Sequence, residues 1–360
     1  MENKKMNTQY NAIDLTKFLC AILVVTIHVA PFGNYETSSL LSCFYFGIRQ
    51  YLARIAVPFF FVTSGFFLYR KTSFECFHVQ PTKKYALKLL KLYMIWSAIY
   101  FPFNFILFFR DEKGILHAIL VYIKDYILSG SYRHLWYLNA TIFAVAFISL
   151  LLHKKVTLKK MMIAACALYL GGLLAQSWFG FIAPLKETAP YIWNMLKFIQ
   201  KIIVTTRNGL FEGFLFVGIG MLFAFNKVHI PKKLAYFGFV FSMLLLFIEV
   251  FVLQYFHIAR EHDTYFFLVP TVFFMFSIVC DMHLPDHKTY KSLRTLSSLI
   301  FYMHVGVSTL VKRVLEIISN ELSETILCFL LTLIITIICS VIVMKLSKFS
   351  KFGWLKQLYA

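Results

Sequence analysis

The stretch IDLTKFLCAILVVTIHVAPF (13–32) contains twenty residues, of which only Asp14, Lys17 and His28 are charged or titrate near neutral pH. A helix needs roughly 20 mostly apolar residues to cross the hydrocarbon of a bilayer, so this stretch predicts a membrane-spanning helix. It carries a charge at Lys17 and lacks a small-residue cleavage site. We therefore expect it to be retained and not removed as a signal peptide.

Similar apolar segments recur along the whole chain. Of its 360 residues 59% are hydrophobic and only 15% are charged, whereas a soluble domain is about half apolar and a quarter charged. The sequence predicts an all-α, polytopic membrane protein with about ten transmembrane helices, formed by residues 12–346 between short cytoplasmic tails at 1–11 and 347–360. The predicted spans lie near 12–32, 54–70, 92–109, 135–152, 161–178, 209–226, 234–256, 264–281, 296–311 and 325–346.

The distribution of Lys and Arg between these spans predicts the orientation. One set of alternate loops contains 22 of the 36 basic residues and the other set contains 11. Basic residues are enriched in cytoplasmic loops, so both termini are predicted to lie inside a plasma membrane. The net charge of +19 is explained by this bias and by contact with anionic lipids, and we expect no nucleic-acid partner because no basic helix or nucleic-acid motif is present.

Two segments outside the spans have a distinct pattern. Residues 44–53 suggest an interfacial or re-entrant lead-in to the second span. Residues 115–128 alternate apolar and polar residues at helical spacing, which predicts an amphipathic helix on the membrane surface. The seven cysteines show no CxxC pair, and we interpret them as core residues, with no disulfide framework and no metal site.

Ionisable side chains inside a spanning helix are costly and are candidates for function. Lys17 and His28 are eleven residues apart, so they share one face of a helix at a separation of roughly 16 Å. The imidazole of His28 can accept and return a proton near neutral pH, which suits a general base acting on a hydroxyl group. Lys17 could equally extend to the lipid head groups, and Glu249, in the seventh span, belongs to no motif.

Several motifs follow one another along the chain in a fixed order. Lys17 and His28, with ten residues between them, resemble the first-helix signature of the acyltransferase-3 family of membrane acyltransferases. The other motifs that resemble this family are RIAVPFFFVTSGFFLYRK (54–71), KKYALKLLKLYMIW (83–96), HLWYL (134–138), RNGLFEGFLFVGIGM (207–221) and SSLIFYMHVGV (297–307).

This resemblance implies an O-acyltransferase without a metal. It would move an acyl group, most simply acetyl, from acetyl-CoA or another acyl-CoA to a hydroxyl group of an envelope polysaccharide, which in part of the family lies across the membrane. His28 would be the base or the transient acyl carrier, assisted by Lys17. Lys84, Lys88 and Lys91 would bind the CoA phosphates, although the family often has an R-x-x-R pair there and lysine loses its bidentate contacts.

The remaining site candidates are expected to bind the acceptor: Asp14, Arg54, Arg207, Glu212, His134, Trp136 and His304. Arg54 could pair with Asp14 or contact an anionic group on a ligand. Glu212 could pair with Arg207, either to hold an acceptor or as a structural ion pair. Trp136 could also serve simply as an anchor at the membrane interface.

A second function stays open at this point. The segments RIAVPFFFVTSGFF (54–67) and RNGLFEGFLFVGIGM (207–221) also resemble the membrane domain of the vancomycin-resistance serine racemase. That resemblance implies a transporter of serine or another small molecule, with a substrate site near the middle of the membrane and no need for CoA. Lys17 and His28 occur in both kinds of protein and do not separate them.

Overall fold

Each predicted span overlaps a helix in the computed structural model, which describes residues 10–29, 40–70, 72–75, 77–108, 114–319 and 325–360. The α-helices of these residues, α1 to α15, are Asn11–His28, Leu40–Gly47, Ala56–Tyr69, Val79–Phe108, Ile115–Leu128, Trp136–His153, Leu158–Leu174, Phe179–Ile182, Leu185–Thr188, Pro190–Ile203, Phe214–Ala224, Lys232–Tyr255, Leu268–Asp281, Lys288–Ile318 and Ile326–Leu346. They are accompanied by π-helical segments at Ile48–Leu52 and Gly209–Gly213 and by 3-10 helices at Ala53–Ile55 and Ser350–Leu358.

Seven helical segments within the described ranges are long and apolar enough to cross a membrane individually: Asn11–His28, Ser42–Tyr69, Val79–Phe105, Trp136–His153, Lys232–Tyr255, Lys288–Ile318 and Ile326–Leu346. An eighth span would combine α7 with Phe179–Thr188, which is bent against it by 80°. Gly209–Ala224 and α13 are apolar but shorter. The chain is thus a multi-pass membrane protein, while the number of ten spans and the orientation stay predictions.

The basic stretch at 83–96 is part of a spanning helix and does not precede it. Helix α4 begins at Val79, thirteen residues before the predicted start of the third span at 92. Alanine, leucine and lysine are good helix formers, so the helix continues beyond the apolar part of the sequence. Lys84 and Lys88 are therefore fixed on consecutive turns of one helix, which gives their ammonium groups a defined spacing.

The segment before the second span is also helical and continuous with it. Helix α2, the π-helical turn at Ile48–Leu52 and the 3-10 turn at Ala53–Ile55 lead directly into α3, so that Ser42–Tyr69 reads as one span. Residues 44–53, predicted to form an interfacial or re-entrant lead-in to the second span, are thus helical and continuous with that span, while their depth in the membrane stays a prediction. The change of helical pitch accommodates an extra residue without interrupting the backbone hydrogen bonds, which is why hydropathy alone did not reveal the continuity.

Glycines allow the backbones of α3 and α11 to approach each other closely. A methyl group added to Gly65 of α3 would lie 2.1 Å from the carbonyl oxygen of Val217 in α11, and one added to Gly220 would lie 2.0 Å from that of Val62. Close backbone contact through small residues is a typical way for membrane helices to associate. The glycines of the two motif segments 54–71 and 207–221 thus fix the α3–α11 pair.

Two amphipathic helices lie between the spans. Residues 115–128 form α5 as predicted, with large apolar side chains such as Leu116 and Leu120 exposed. The sequence analysis missed α10, which was counted as a loop. Its signal was present, because Pro190 occupies the first turn and the exposed apolar residues Ile192 and Met195 recur at helical spacing.

Candidate active site

Three histidines from distant parts of the chain meet at the C-terminal end of α1. His28 is the last residue of α1, His134 lies in the turn before α6, and His304 lies within α14. The ring centroid of His28 is 6.4 Å from that of His134 and 5.1 Å from that of His304, and the latter two are 5.2 Å apart. The structure therefore brings together three residues that the sequence analysis had selected separately.

Local features of the sequence place these rings. The turn between α5 and α6 contains Gly130 with φ of +99°, a conformation that glycine adopts at low cost. A methyl group at Gly130 would lie 2.6 Å from the backbone of Trp136. This tight turn holds His134 at the start of α6. His134 and His304 are buried, whereas His28 is partly exposed.

The hydrogen bonds of the two buried rings define their neutral tautomers. His134 Nε2 lies 3.1 Å from the carbonyl oxygen of Tyr302, and His304 Nδ1 lies 3.0 Å from that of Ile300. A carbonyl can only accept, so each of these nitrogens carries the proton and donates it. The other nitrogens, His134 Nδ1 and His304 Nε2, are buried acceptors without a hydrogen-bond partner in the described part of the chain.

Tyr100 holds the backbone that anchors this cluster. Its hydroxyl donates to the carbonyl oxygen of Tyr302 at 2.6 Å and accepts from the amide of Gly306 at 3.0 Å. Tyr302 and Gly306 are four residues apart, so the hydroxyl takes the place where an ordinary helical hydrogen bond of α14 would form. Such insertion of a side chain locally opens a helix, and it occurs here on both sides of His304.

A basic cavity lies at the opposite, N-terminal end of α1. It has a volume of about 900 Å³, and its charged lining residues are Asp14, Lys17, Lys84, Lys88 and Arg294. A second cavity of about 240 Å³ shares Lys17, Lys88 and Arg294 and continues to Phe301 and Tyr302, beside the histidines. The smaller cavity thus reaches Phe301, whose ring packs against His134, while none of the three histidines lines either cavity.

The three predicted donor-binding lysines are not equivalent. Lys84 and Lys88 line the larger cavity, whereas Lys91 is exposed and lines neither of the two cavities. The geometry thus favours Lys84 and Lys88 as partners of an anionic ligand. Lys17, which the sequence analysis placed with His28, lines both cavities and lies with the lysines of α4.

The expected pairing of Asp14 with Arg54 was wrong. Asp14 accepts two hydrogen bonds from Arg294, at 2.8 Å from Nε and 2.7 Å from Nη2. Its carboxylate is buried while the guanidinium of Arg294 is half-exposed. The reason is that Asp14 lies at the N-terminal end of α1, whereas Arg54 lies near its C-terminal end. The sequence places both residues at the starts of the first two spans and does not reveal this separation.

Arg54 belongs to an ion cluster beside the histidines. Asp263 Oδ1 lies 2.5 Å from Arg54 Nη1, and Asp263 Oδ2 lies 2.8 Å from Arg207 Nη1. Gln50 accepts a further hydrogen bond from Arg54 at 2.8 Å. Burial opposes the ionisation of Asp263, but the two guanidinium groups outweigh it and hold the pKa of Asp263 below its usual range. Asp263 is therefore an anion that joins Arg54, just before α3, to Arg207, just before the π-helical turn that leads into α11.

Glu212 and Trp136 lie against this cluster. Glu212 sits in the π-helical turn before α11 near Arg207, but its Oε2 atom is buried without a hydrogen-bond partner among the described residues. The expected Glu212–Arg207 pair is replaced by the Arg207–Asp263 pair. Trp136 is buried, and the Cζ atom of Arg207 lies 4.9 Å from the centroid of its indole ring. Trp136 therefore does not serve as an anchor at the lipid surface.

Glu249, which belongs to no motif, has a structural role. Its carboxylate accepts hydrogen bonds from the amides of Phe266 and Phe267 at 2.8 and 2.9 Å and from the indole of Trp178 at 2.9 Å. These amides lie at the N-terminus of α13, where an acceptor is required. Glu249 therefore secures the loop that carries Asp263.

Sequence reasoning missed Tyr100, Asp263 and Arg294. Arg294 precedes the motif at 297–307 and was counted only toward the charge bias. Asp263 lies in a short loop, where an isolated acidic residue gives no signal, and Tyr100 is one of 20 tyrosines. The described residues contain no group of three His, Cys, Asp or Glu side chains arranged to hold a metal ion.

Comparison with known proteins decides the family. A family model described as an acyltransferase domain matches residues 10–345, nearly the whole chain. The chain belongs to the acyltransferase-3 family. The resemblance inferred from the motifs is thus confirmed, and an acyltransferase enzyme of the membrane is what this family membership supports.

Curated relatives of this acyltransferase-3 chain carry the names of racemases. Two amino-acid racemases from Enterococcus faecalis are 30% identical over 292 residues and 28% identical over 348 residues, which cover 81% and 95% of this chain but 38% and 47% of the relatives. A serine/alanine racemase from Enterococcus gallinarum is 29% identical over 332 residues, covering 89% of this chain and 44% of the relative. The chain spans less than half the length of these relatives. No solved structure matches it.

Proposed function

We propose that this acyltransferase-3 protein transfers an acyl group, most simply acetyl, from acyl-CoA to a hydroxyl group of a cell-envelope glycan. The observation that carries the proposal is the histidine cluster with its two unsatisfied buried acceptors, His134 Nδ1 and His304 Nε2. A buried acceptor without a donor costs about 1–3 kcal/mol, so a ligand that brings an O–H or N–H group would relieve it. A hydroxyl-bearing acceptor meets this requirement.

The basic cavity at the N-terminal end of α1 supports the donor assignment. Lys17, Lys84, Lys88 and Arg294 place four cationic groups around about 900 Å³, opposed by one carboxylate that is itself bonded to Arg294. Phosphates bind well to such clusters of cations. The narrower cavity that continues to Tyr302 would hold the pantetheine arm, which must carry the thioester toward His28.

The residues can then perform the transfer in one balanced step. His28, as general base, takes the proton of the acceptor hydroxyl. The oxygen attacks the thioester carbonyl carbon, an ester bond forms and the C–S bond breaks. CoA leaves as a thiolate that takes the proton from His28, which returns to its neutral form. His134 and His304 orient His28 and the hydroxyl, and both are fixed by carbonyl groups of α14.

His28→Ala is the direct test of the base. Removing a general base commonly lowers a rate by about 10²–10⁴-fold, and we expect at least this loss of envelope O-acetylation. His153→Ala, at the far end of α6, is the matched control. O-acetyl groups on isolated envelope glycan are quantified by mass spectrometry at equal membrane abundance of each variant. Equal acetylation in His28→Ala and wild type would remove His28 from the chemistry.

The donor site is tested by charge reversal on α4. Lys88→Glu should weaken the binding of acetyl-CoA to the purified protein, because Lys88 lines both cavities. Lys91→Glu changes the same charge on the same helix but lines neither cavity, so it should bind nearly as wild type. Isothermal titration measures both. If Lys88→Glu leaves affinity unchanged in a folded protein, the donor binds elsewhere.

The orientation is proposed to be N-in and C-in with ten spans in the plasma membrane, on the strength of the 22-to-11 charge bias. Single cysteines at Glu187 and Lys227, introduced into a background without the native cysteines, report the two sides. An impermeant maleimide added to whole cells should label only Glu187→Cys. Labelling of Lys227→Cys instead would reverse the orientation and move the basic cavity outside.

Amino-acid transport is the second candidate. The relatives are named as racemases of amino acids and not as transporters, so their names support only the amino-acid class of the transported molecule. The transport step rests on the resemblance of residues 54–67 and 207–221 to the membrane domain of the serine racemase. This function would need no CoA. Uptake of labelled L-serine into cells, lost in His28→Ala without any acetylation in either strain, would favour transport over acyl transfer.

A further inference from the structure

A third polar cavity opens on the side of the molecule where the histidines lie. It encloses about 580 Å³, a size typical of small-ligand sites. Its charged lining residues are Arg133, Arg207 and Glu261, and its aromatic ones are Phe103 and Tyr132. None of the residues that line the basic cavity at the N-terminal end of α1 lines this one.

Aromatic stacking connects this cavity to the histidine cluster. The ring of Tyr132 stacks on that of Tyr100 at 4.6 Å and meets His134 edge-on at 6.1 Å. Arg207 reaches the same region from the other side, where it covers Trp136 and is a charged neighbour of His28. The cavity is thus linked to the proposed base through Tyr132 and His134, whose rings lie between them.

The charged residues that line this cavity indicate which kind of ligand it can bind. Arg207 uses one nitrogen, Nη1, to bind Asp263, while its Nε is buried and has no partner among the described residues. Arg133 is exposed at the rim. Asp263 is shared between Arg207 and Arg54, so three guanidinium groups stand against the carboxylates of Asp263 and Glu261 and leave one positive charge in excess. Guanidinium groups match a carboxylate in shape and charge, and they do so better than they match a neutral hydroxyl.

We propose that this cavity binds the acceptor through a carboxylate, so that the acceptor of the proposed acyl transfer is an acidic sugar unit. Arg133 and Arg207 receive the carboxylate, Glu261 accepts hydrogen bonds from ring hydroxyls, and Tyr132 and Phe103 cover the apolar face of the ring. The acylation of this sugar rests on the proposed function. The binding of the sugar does not, because it can be measured without acyl-CoA. Donor and acceptor then approach the histidines from opposite ends of α1.

A matched pair of sugars tests the binding step without any donor. D-glucuronate and D-glucose differ only in the carboxylate at C6. We expect the purified protein in lipid nanodiscs to bind D-glucuronate roughly tenfold more tightly than D-glucose, which corresponds to about 1.4 kcal/mol for one charge-assisted contact. Ligand-observed NMR titration measures both constants. Equal binding of the two sugars, or binding of neither, overturns the proposal.

A pair of arginine variants assigns the site. Arg133→Gln should weaken D-glucuronate binding about tenfold and leave D-glucose unchanged. Arg260→Gln is the control, because Arg260 is exposed in the same loop region as Glu261 but does not line the cavity. Unchanged binding in Arg133→Gln, in a protein that melts like wild type, overturns the assignment.

The transfer of the acetyl group is measured in an experiment of its own, separate from binding. With acetyl-CoA present, acetylated glucuronate is sought by mass spectrometry in wild type and His28→Ala. Binding of glucuronate without any acetylation retains the acidic-ligand site and refutes acyl transfer as the function. Acetylation of glucose as readily as glucuronate retains acyl transfer and refutes the selectivity assigned to Arg133.

Discussion

The substitution Gly65→Ala tests the contact that holds the centre of the fold together. The new methyl carbon would lie 2.1 Å from the carbonyl oxygen and 3.1 Å from the Cα atom of Val217. Ordinary contacts of this kind are 3.4 Å or longer. Helices α3 and α11 must therefore separate by about 1 Å, and neither has a side chain there that could move aside instead.

The expected loss of stability follows from two opposing effects. Overpacking a close interface costs about 1–3 kcal/mol and occasionally more, while alanine in place of glycine within a helix gains up to about 1 kcal/mol. Because the oxygen belongs to the backbone, we expect the upper part of this range and a net loss of about 2 kcal/mol. Ser64, which bonds the hydroxyl of Tyr137 at 3.0 Å and lines both donor cavities, would shift with α3. CoA binding should thus weaken together with stability.

Gly171→Ala is the matched control for this experiment. Gly171 also lies within a helix, α7, but a methyl group there would meet no atom within 4 Å. We expect Gly171→Ala to melt at or slightly above the wild-type temperature and Gly65→Ala to melt several degrees below it. Size-exclusion chromatography of heated, detergent-solubilised protein provides the melting curves. The reasoning is refuted if Gly65→Ala is as stable as Gly171→Ala.

Three further perturbations have defined outcomes. Asp14→Asn removes the negative charge that is bonded to Arg294, so we expect a lower melting temperature. Because the basic cavity then becomes more positive, the binding of anionic CoA should not weaken. Weaker CoA binding in a titration would contradict this. Tyr100→Phe removes the hydroxyl inserted into α14 and should lower kcat about tenfold with little change in KM for acetyl-CoA, whereas a pure KM effect would contradict a positioning role. Burial and the charge of Arg54 lower the pKa of His262 to about 4, from about 6.5 in the unfolded chain. The neutral imidazole therefore contributes its full stability above pH 6.5, and this contribution is lost as the pH falls toward 4. We expect His262→Gln to flatten the decline in melting temperature between about pH 7 and 5.

The sequence alone was sufficient for the membrane class, the family and three of the residues at the proposed centre. Apolar runs of about twenty residues have one stable solution in a bilayer, a helix that satisfies its own backbone hydrogen bonds, so the apolar segments could be recognised as helical. The ends of the helices could not, since α4 begins thirteen residues before its predicted span. His28 and Lys17 stood out because ionisable side chains are costly inside an apolar segment. His134, His304, Arg54 and Arg207 became candidates because they lie in the motifs that resemble the family.

Which of these charged residues pair with one another was decided only by the tertiary structure. A spacing along one helix fixes a shared face, but the partner of Asp14 is 280 residues away and that of Arg54 is 209 residues away. Hydropathy measures the average polarity of a window, and it records neither which helices are neighbours nor the insertion of Tyr100 into α14. The separation of the lysines at one end of α1 from the arginines at the other end depends on helix packing. Packing is set by glycines such as Gly65, whose effect is invisible until the opposing backbone is in place.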